Sequence, residues 1–214
     1  MDSRVKEAVR YLGYGRHAVD EKTKGLVRDS FEELDRTVQG RLVYRIFELD
    51  VPDDGRVKIE DLEIASRNLA KNMKGCRRAV MLGATLGIQV DMLMKRYSLT
   101  DMTRALVLQA CAAAALEEYL DEWQEKFKNE AAGEGYYLRP RFSPGYGDFD
   151  ISHQKDFIRM LDSAKKIGLT MTDGCMLTPT KSVTAVIGMS REDIPCHKKG
   201  CEECKKTDCI YRRQ

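Results

Sequence analysis

The segment from Asp101 to Asn129 contains neither glycine nor proline, and it predicts one long helix. Thr100 or Asp101 is placed to cap its first turn. The centre reads ACAAAAL, and such small side chains allow another backbone to approach closely. The second half, EEYLDEWQEKF, is amphipathic and charged. We therefore expect a helix whose first half is buried and whose second half is half-exposed.

The rest of the chain mixes helical and extended patterns without strict alternation, which favours the α+β class over a doubly wound parallel sheet. Val57 to Ile64, after the turn at Pro52–Gly55, is expected either to pair with the preceding strand or to return toward a helix. We predict a single mixed domain over residues 1–190, with a central, largely antiparallel sheet flanked by helices. The helices are expected at Val5–Leu12, Leu26–Leu34 and Ile151–Ile167, and the strands at Arg41–Asp50, Arg77–Leu86, Tyr136–Arg139 and in SVTAVIGM.

Charge and hydropathy exclude several classes of protein. The 36 basic and 34 acidic residues leave a net charge of +2, which gives no general footprint for nucleic acid or a membrane surface. No apolar run reaches the roughly 18 residues that a membrane span needs. The N-terminus lacks the apolar centre of a signal peptide. We therefore expect a cytoplasmic protein.

The segment RFSPGYGDFD, from Arg141 to Asp150, carries the clearest candidate chemistry. Its two glycines let a ligand approach the backbone. Arg141 offers a planar guanidinium suited to a carboxylate, and Tyr146 offers a flat apolar face with a polar tip. The alternatives are structural: Arg141 paired with Asp148 or another carboxylate, and Tyr146 simply packed.

An ordered set of motifs resembles the activation domain of cobalamin-dependent methionine synthase. The motif R-x-x-P-G-Y is followed by an amphipathic helix, a K-x-G-L-T-like step and a Met-x-x-Pro segment before a strand. The small-residue helix from Ala110 to Glu118 resembles the helix that precedes this motif in the family. The chain thus resembles a stand-alone relative of that domain. The matching positions are Arg141, Pro144, Gly145, Tyr146, Lys166–Thr170, Met176–Pro179 and Ser182–Val183.

The resemblance implies a site for S-adenosylmethionine on the loop. The arginine, Arg141, would hold the ligand, and Ser143 would contact the adenosine portion through its backbone. Gly145 belongs to the same binding loop. Tyr146 would lie toward the cobalamin face, which makes it the candidate catalytic residue.

A glutamate after the small-residue helix also contacts the ligand in the family. Glu117 is the better match, and Glu118 is a one-residue alternative. The assignment is electrostatically sensible, because Arg141 complements the ligand's carboxylate and Glu117 its ammonium. Two family contacts have no match: an acidic residue near the N-terminus, and a tyrosine on the strand beyond Ser182.

The implied function is reactivation of a corrinoid methyltransferase. The partner would be cobalamin-dependent methionine synthase or another corrinoid protein, which carries the cobalamin. The electron would come from a donor such as a flavodoxin or ferredoxin. The chain would then be the activation component of a methyltransferase system. The two missing contacts motivate an alternative, a corrinoid-protein binding or assembly module without methyl-transfer activity.

Four of the seven cysteines crowd into residues 191–214, which we expect to form a separate metal-binding tail. Four thiolates at this spacing suit an iron–sulfur cluster or zinc, and the remaining interpretation is a redox-active or disordered thiol tail. Cys76, Cys111 and Cys175 are expected to be buried small hydrophobic residues. The tail cysteines are Cys196, Cys201, Cys204 and Cys209, with His197 beside the first.

Overall fold

A computed structural model of the chain describes residues 2–14 and 19–193. The described residues form two compact units. The helical unit lies within Met1–Gln39 and Leu86–Asp121, and the sheet unit lies within Gly40–Thr85 and Glu122–Cys196. None of the described helices is long and apolar enough to cross a membrane.

Seven helices and eight strands are distributed over the described residues. A short 3-10 helix, Ile151–His153, precedes the sixth α-helix. The helices are α1 (Ser3–Tyr11), α2 (Glu21–Thr37), α3 (Arg67–Met73), α4 (Ile88–Thr100), α5 (Met102–Gly133), α6 (Gln154–Leu161) and α7 (Ser163–Ile167). The strands are β1 (Arg41–Asp50), β2 (Arg56–Ile59), β3 (Leu62–Ala65), β4 (Cys76–Thr85), β5 (Tyr137–Leu138), β6 (Thr170–Met171), β7 (Leu177–Thr178) and β8 (Ser182–Ser190).

The sheet unit is built on six antiparallel strands in the order β3-β2-β1-β4-β8-β5, and this confirms the predicted α+β class. Strand β4 is central, because it pairs with β1 from Arg41↔Thr85 to Glu48↔Arg78 and with β8 on its other side. Most β4 side chains are buried on both faces, as expected for an apolar run between two neighbours. Strands β6 and β7 form a separate two-stranded sheet.

One face of the sheet is covered by α3, α6 and α7. The side chains that fill this core come from alternate positions of the strands, as the two-residue period of a strand requires. Phe157 and Leu161 of α6 are fully buried there. Ala79 and Met81 of β4 and Val186 of β8 belong to the same cluster.

The helical unit contains α1, α2, α4 and the first part of α5. Asp20 caps α2, since its carboxylate accepts from the Thr23 N–H at 2.8 Å. The Asp101 carboxylate accepts a hydrogen bond from the Arg104 N–H at 3.0 Å. This contact confirms Asp101 as one of the two predicted caps of the long helix. That helix extends to Gly133, four residues beyond the predicted end.

Three local expectations needed correction or completion. Val57 to Ile64 is a hairpin of β2 and β3, so the strand alternative was right and the helical return was wrong. The predicted helix from Ile151 to Ile167 is interrupted at Asp162, whose φ of 53° ends α6 in a left-handed conformation. Helix α4 has no counterpart among the predicted elements.

Two of the three scattered cysteines match the expectation of burial. Cys76 and Cys111 are buried, and burial raises the pKa of the Cys111 thiol to about 12. Cys175 is only half-buried and has a φ of 60°, because it lies in the turn between β6 and β7. The prediction of a buried Cys175 was therefore wrong.

Two glycines should respond in opposite directions to replacement by alanine. A Cβ at Gly25, inside α2, meets nothing within 4 Å, so Gly25→Ala should raise the free energy of unfolding by roughly 0.5–1 kcal/mol. A Cβ at Gly188 in β8 would lie 2.7 Å from both Cys76 Sγ and Met73 Sδ. Overpacking should make Gly188→Ala destabilising by about 1–3 kcal/mol.

Denaturant unfolding of the two variants beside the wild-type chain measures both effects. Equal midpoints for all three proteins would contradict the packing described around Gly188.

Candidate functional site

The loop from Arg141 to Asp150 is tied to the sheet where it begins. Phe142 and Val186 exchange two backbone hydrogen bonds of 3.0 and 2.9 Å, so the start of the loop runs beside β8. Just before it, the Arg139 N–H donates to the Gly188 carbonyl at 2.8 Å. The candidate site is thus positioned by the middle of a buried strand.

Inside the loop, consecutive turns fold the chain back on itself. The Tyr146 N–H donates to the Ser143 carbonyl at 3.1 Å, and the Gly145 N–H donates to the Phe149 carbonyl at 2.7 Å. Gly145 and Gly147 have φ values of 88° and 62°, in the left-handed region that glycine adopts without strain. The two glycines are therefore required by the backbone of the turn itself.

Asp148 fastens the far side of the loop to α3. Its carboxylate accepts from the Ser66 hydroxyl at 2.5 Å, from the Arg67 N–H at 2.9 Å and from the Asn68 N–H at 3.2 Å. The Ser66 hydroxyl and these backbone donors hold the pKa of Asp148 below its usual value. Asp148 is thus a structural residue, engaged with the start of a helix.

Phe149 anchors the end of the loop in the core. It is 1% exposed, and its ring centroid lies 6.3 Å from that of Phe142 and 6.2 Å from that of Phe157. The next loop residue, Asp150, caps the 3-10 helix by accepting from the Ser152 N–H at 2.7 Å. The loop therefore has fixed points at its beginning, side and end.

Tyr146 projects from this fixed loop. Its side chain is exposed (63%), and its ring makes a T-shaped contact with that of Phe142, with centroids 5.4 Å apart and planes at 80°. The alternative in which Tyr146 is simply packed is wrong.

Arg141 is held by a residue that the sequence analysis did not single out. Its Nη1 donates to Gln124 Oε1 of α5 at 2.8 Å, in a partly buried position. The sequence held one weak indication of this role. Gln124 follows Glu117 by seven residues on the predicted helix, and residues seven apart lie on the same face of a helix. An amide oxygen at this distance fixes the plane of the guanidinium and adds no charge.

The backbone of Ser143 is partly used by the turn. Its carbonyl accepts from Tyr146, whereas its N–H donates to none of the residues in 2–14 and 19–193. The turn therefore engages the carbonyl of Ser143 and leaves its N–H out.

The two candidate glutamates lie in the helical unit. Glu118 Oε2 is 2.7 Å from Arg4 Nε, and the Arg4 guanidinium also stacks on Phe31 at 4.4 Å. Glu117 lies near Tyr11, where burial first and this carboxylate second raise the pKa of the phenol. Glu118 is thus engaged in an ion pair with Arg4.

The predicted metal ligands Cys196, Cys201, Cys204 and Cys209 lie outside the described residues. Within the described part of the chain, no group of three or more His, Cys, Asp or Glu side chains is arranged to hold a metal ion.

The chain was compared with curated proteins, with solved structures and with protein families. No individually curated protein matches it. Among solved structures, one described as the MetH reactivation domain bound to AdoHcy aligns with a TM-score of 0.62 at 15% identity. The alignment covers 91% of this chain and 78% of that one, and at this identity it establishes a shared fold.

The family described as "Vitamin B12 dependent methionine synthase, activation domain" matches residues 69–194. The match spans more than half of the chain, and it includes the whole loop and β8. The chain therefore belongs to the family of vitamin B12 dependent methionine synthase activation domains.

Proposed function

We propose that this chain binds S-adenosylmethionine at the Arg141 loop and supports reductive methylation of a partner's corrinoid. The observation that carries the proposal is a guanidinium held in one orientation, by Gln124 at 2.8 Å, on a loop fixed to β8 and α3. Membership of the activation-domain family supports a role beside a vitamin B12 dependent methionine synthase. The similar solved domain is described as bound to AdoHcy, which is what S-adenosylmethionine becomes after losing its methyl group.

The ligand's charges suggest a role for each residue. The planar fork of Arg141 suits the ligand's carboxylate. The Ser143 backbone would meet the adenosine, and Gly145 belongs to the same binding loop. Tyr146, exposed on the same loop, would face the corrin of a docked partner.

The proposed reaction needs no nucleophile from this chain. A donor such as a flavodoxin or ferredoxin supplies one electron to the partner's cobalt(II) corrinoid. The reduced cobalt forms a bond to the methyl carbon, the carbon–sulfur bond breaks, and S-adenosylhomocysteine leaves as a neutral thioether. The chain's own contribution is to hold the sulfonium where the cobalt can reach it.

A second candidate is a module that binds a corrinoid protein, such as methionine synthase, without transferring a methyl group. The two family contacts that have no match in the sequence motivate it. Calorimetric titration of the chain with S-adenosylmethionine separates the candidates, because only the first requires the ligand to bind.

Replacing Arg141 tests the ligand assignment. A charge-assisted pair of this kind contributes roughly 1.5–3 kcal/mol, so Arg141→Ala should weaken S-adenosylmethionine binding about ten- to a hundredfold. Arg141→Lys keeps the charge and loses the fork, so it should restore only part of the affinity. Unchanged calorimetric affinity in a folded Arg141→Ala protein would reject the assignment.

Gln124 should act through the orientation of Arg141. Gln124→Glu places a carboxylate beside the guanidinium, where it competes with the carboxylate of the ligand. We expect a larger loss of affinity from Gln124→Glu than from Gln124→Ala, although the new ion pair should preserve stability. Gln109→Glu makes the same change at an exposed position of α5 and serves as the matched control.

Titrating S-adenosylmethionine into the Gln124 variants and into Gln109→Glu measures the effect. Equal affinity for Gln124→Glu and the control would mean that Gln124 has no influence on the ligand.

We further propose that Cys196, Cys201, Cys204 and Cys209 act as one unit that binds an iron–sulfur cluster or zinc. Substituting all four by serine should remove the metal and leave the thermal unfolding of the rest unchanged. A truncation for the same purpose should retain Arg191, which stacks on Tyr136 at 3.8 Å.

Protein purified without oxygen decides between the metals. Visible absorption with bound iron indicates a cluster, and a colourless protein with stoichiometric zinc indicates zinc. If the intact chain contains neither iron nor zinc, the tail carries free thiols and the proposal is rejected.

A further inference from the structure

Within the described residues, one edge of β1 has no neighbouring strand over most of its length. On one side, Arg41–Glu48 pair with β4. On the other side, β2 pairs with β1 only at its end, where Leu49 lies opposite Ile59 and Asp50 lies opposite the next residue of β2. The sheet of the sheet unit therefore has an open edge along β1, and this edge stops where β2 begins to pair.

The hydrogen bonds of β8 determine which residues of β1 direct their backbone groups out of the sheet. Val186 exchanges both backbone hydrogen bonds with Phe142, so its backbone groups point away from Met81, its partner in β4. Directly opposite residues of an antiparallel pair either exchange both bonds or both point away. Met81 therefore directs its backbone groups to β1, where it lies opposite Arg45. Since Arg45 bonds to β4, the residues on either side of it point out of the sheet.

The same alternation leaves the backbone N–H and C=O groups of every second residue directed to the open edge. None of these groups has a backbone partner in residues 2–14 and 19–193. Only another extended backbone presents donors and acceptors at the matching intervals, so the edge is suited to the addition of a strand. We call this surface the β1 edge, defined by Leu42, Tyr44, Ile46 and Glu48.

The side chains on one face of the β1 edge are apolar and exposed. Tyr44 and Ile46 are 41% and 45% exposed. The Tyr44 ring is held by Trp123, with centroids 5.2 Å apart. Glu48, on the same face, is already paired with Arg78 at 3.1 Å. An added strand would therefore find an apolar surface on this face, and its apolar side chains would cover Tyr44 and Ile46.

The opposite face of β1 is positively charged along the same edge. Arg45 lies on the face covered by α6, where its Nη1 donates to the Met160 carbonyl at 2.9 Å. Arg41 shares that face because the two residues are four apart in a strand, and both are exposed. Helix α7 packs against β1 and carries the exposed Lys165 and Lys166. Acidic side chains of an added strand would meet these cations.

We propose that the β1 edge binds an extended segment of a partner protein in which acidic residues alternate with apolar ones. Opposite residues of paired strands share a face, so the acidic side chains lie beside Arg41 and Arg45 while the apolar ones cover Tyr44 and Ile46. The backbone hydrogen bonds supply affinity for any strand. The arginines supply specificity, because they attract an acidic strand and repel a basic one.

A synthetic peptide tests the proposal with the full chain. The probe is a blocked heptapeptide that alternates glutamate and valine. Trp123 is the only tryptophan of the chain and contacts Tyr44, so its fluorescence reports occupation of the β1 edge. We expect a saturable fluorescence change with this peptide. A peptide of the same composition with its valines grouped together should bind about tenfold more weakly or less, because it cannot present one apolar face and one acidic face.

Ile46→Pro tests the role of the backbone. The Ile46 N–H points away from β4, so proline removes a donor of the β1 edge without removing a hydrogen bond of the sheet. The variant should bind the alternating peptide about tenfold more weakly, with circular dichroism showing that it is folded.

A charge reversal that leaves the backbone intact tests the specificity. Arg41→Glu should weaken binding of the glutamate–valine peptide about tenfold and allow a lysine–valine peptide to bind. Arg28→Glu makes the same change at an exposed position of α2 and is the matched control, which should bind as the wild type does.

Three results would overturn the proposal. The first is the absence of a saturable change with the alternating peptide. The second is equal affinity for the grouped peptide or for folded Ile46→Pro and Arg41→Glu proteins. The third is a wild-type dimer in sedimentation velocity that Ile46→Pro dissociates, because a second copy would then occupy the edge.

Discussion

The two hydrogen bonds between Phe142 and Val186 are the contact on which the candidate site depends. They fasten the start of the loop to β8, which is itself paired along its length with the central strand β4. Asp148 and Phe149 then fix the side and the end of the same loop. Arg141 and Tyr146 therefore lie on a loop that the core of the sheet unit holds in place.

That arrangement divides the loop residues into two groups. Pro144, Asp148 and Phe149 are occupied in building the loop, through burial or through hydrogen bonds to α3. Arg141 donates to Gln124 of α5, and the Tyr146 side chain is exposed. In the proposed function, the glycines and the aspartate set the geometry of the loop, and Arg141 and Tyr146 meet the ligand and the partner. This is the pattern expected where rigid support and recognition are combined in a few residues.

The sequence allowed the fold class, the long helix and the major strands to be predicted, because these depend on local periodicity and on the absence of glycine and proline. It did not reveal the break at Asp162, because the residue in the left-handed conformation there is an aspartate. A glycine at that position would have predicted the end of the helix. Helix α4 was missed because apolar residues on both of its sides obscure helical periodicity. Gln124 was missed because its role depends on a contact with Arg141, seventeen residues away. Contacts of that kind follow from tertiary packing, which no local pattern encodes.

Formation of methylcobalamin on a corrinoid protein tests the central claim most directly. The assay contains a cobalt(II) corrinoid protein such as methionine synthase, a low-potential electron donor and S-adenosylmethionine, and follows corrin absorption over time with and without the chain. We predict faster formation of methylcobalamin with the wild-type chain and little acceleration with Arg141→Ala. An equal rate with and without the wild-type chain, under conditions in which it binds S-adenosylmethionine, would contradict the account.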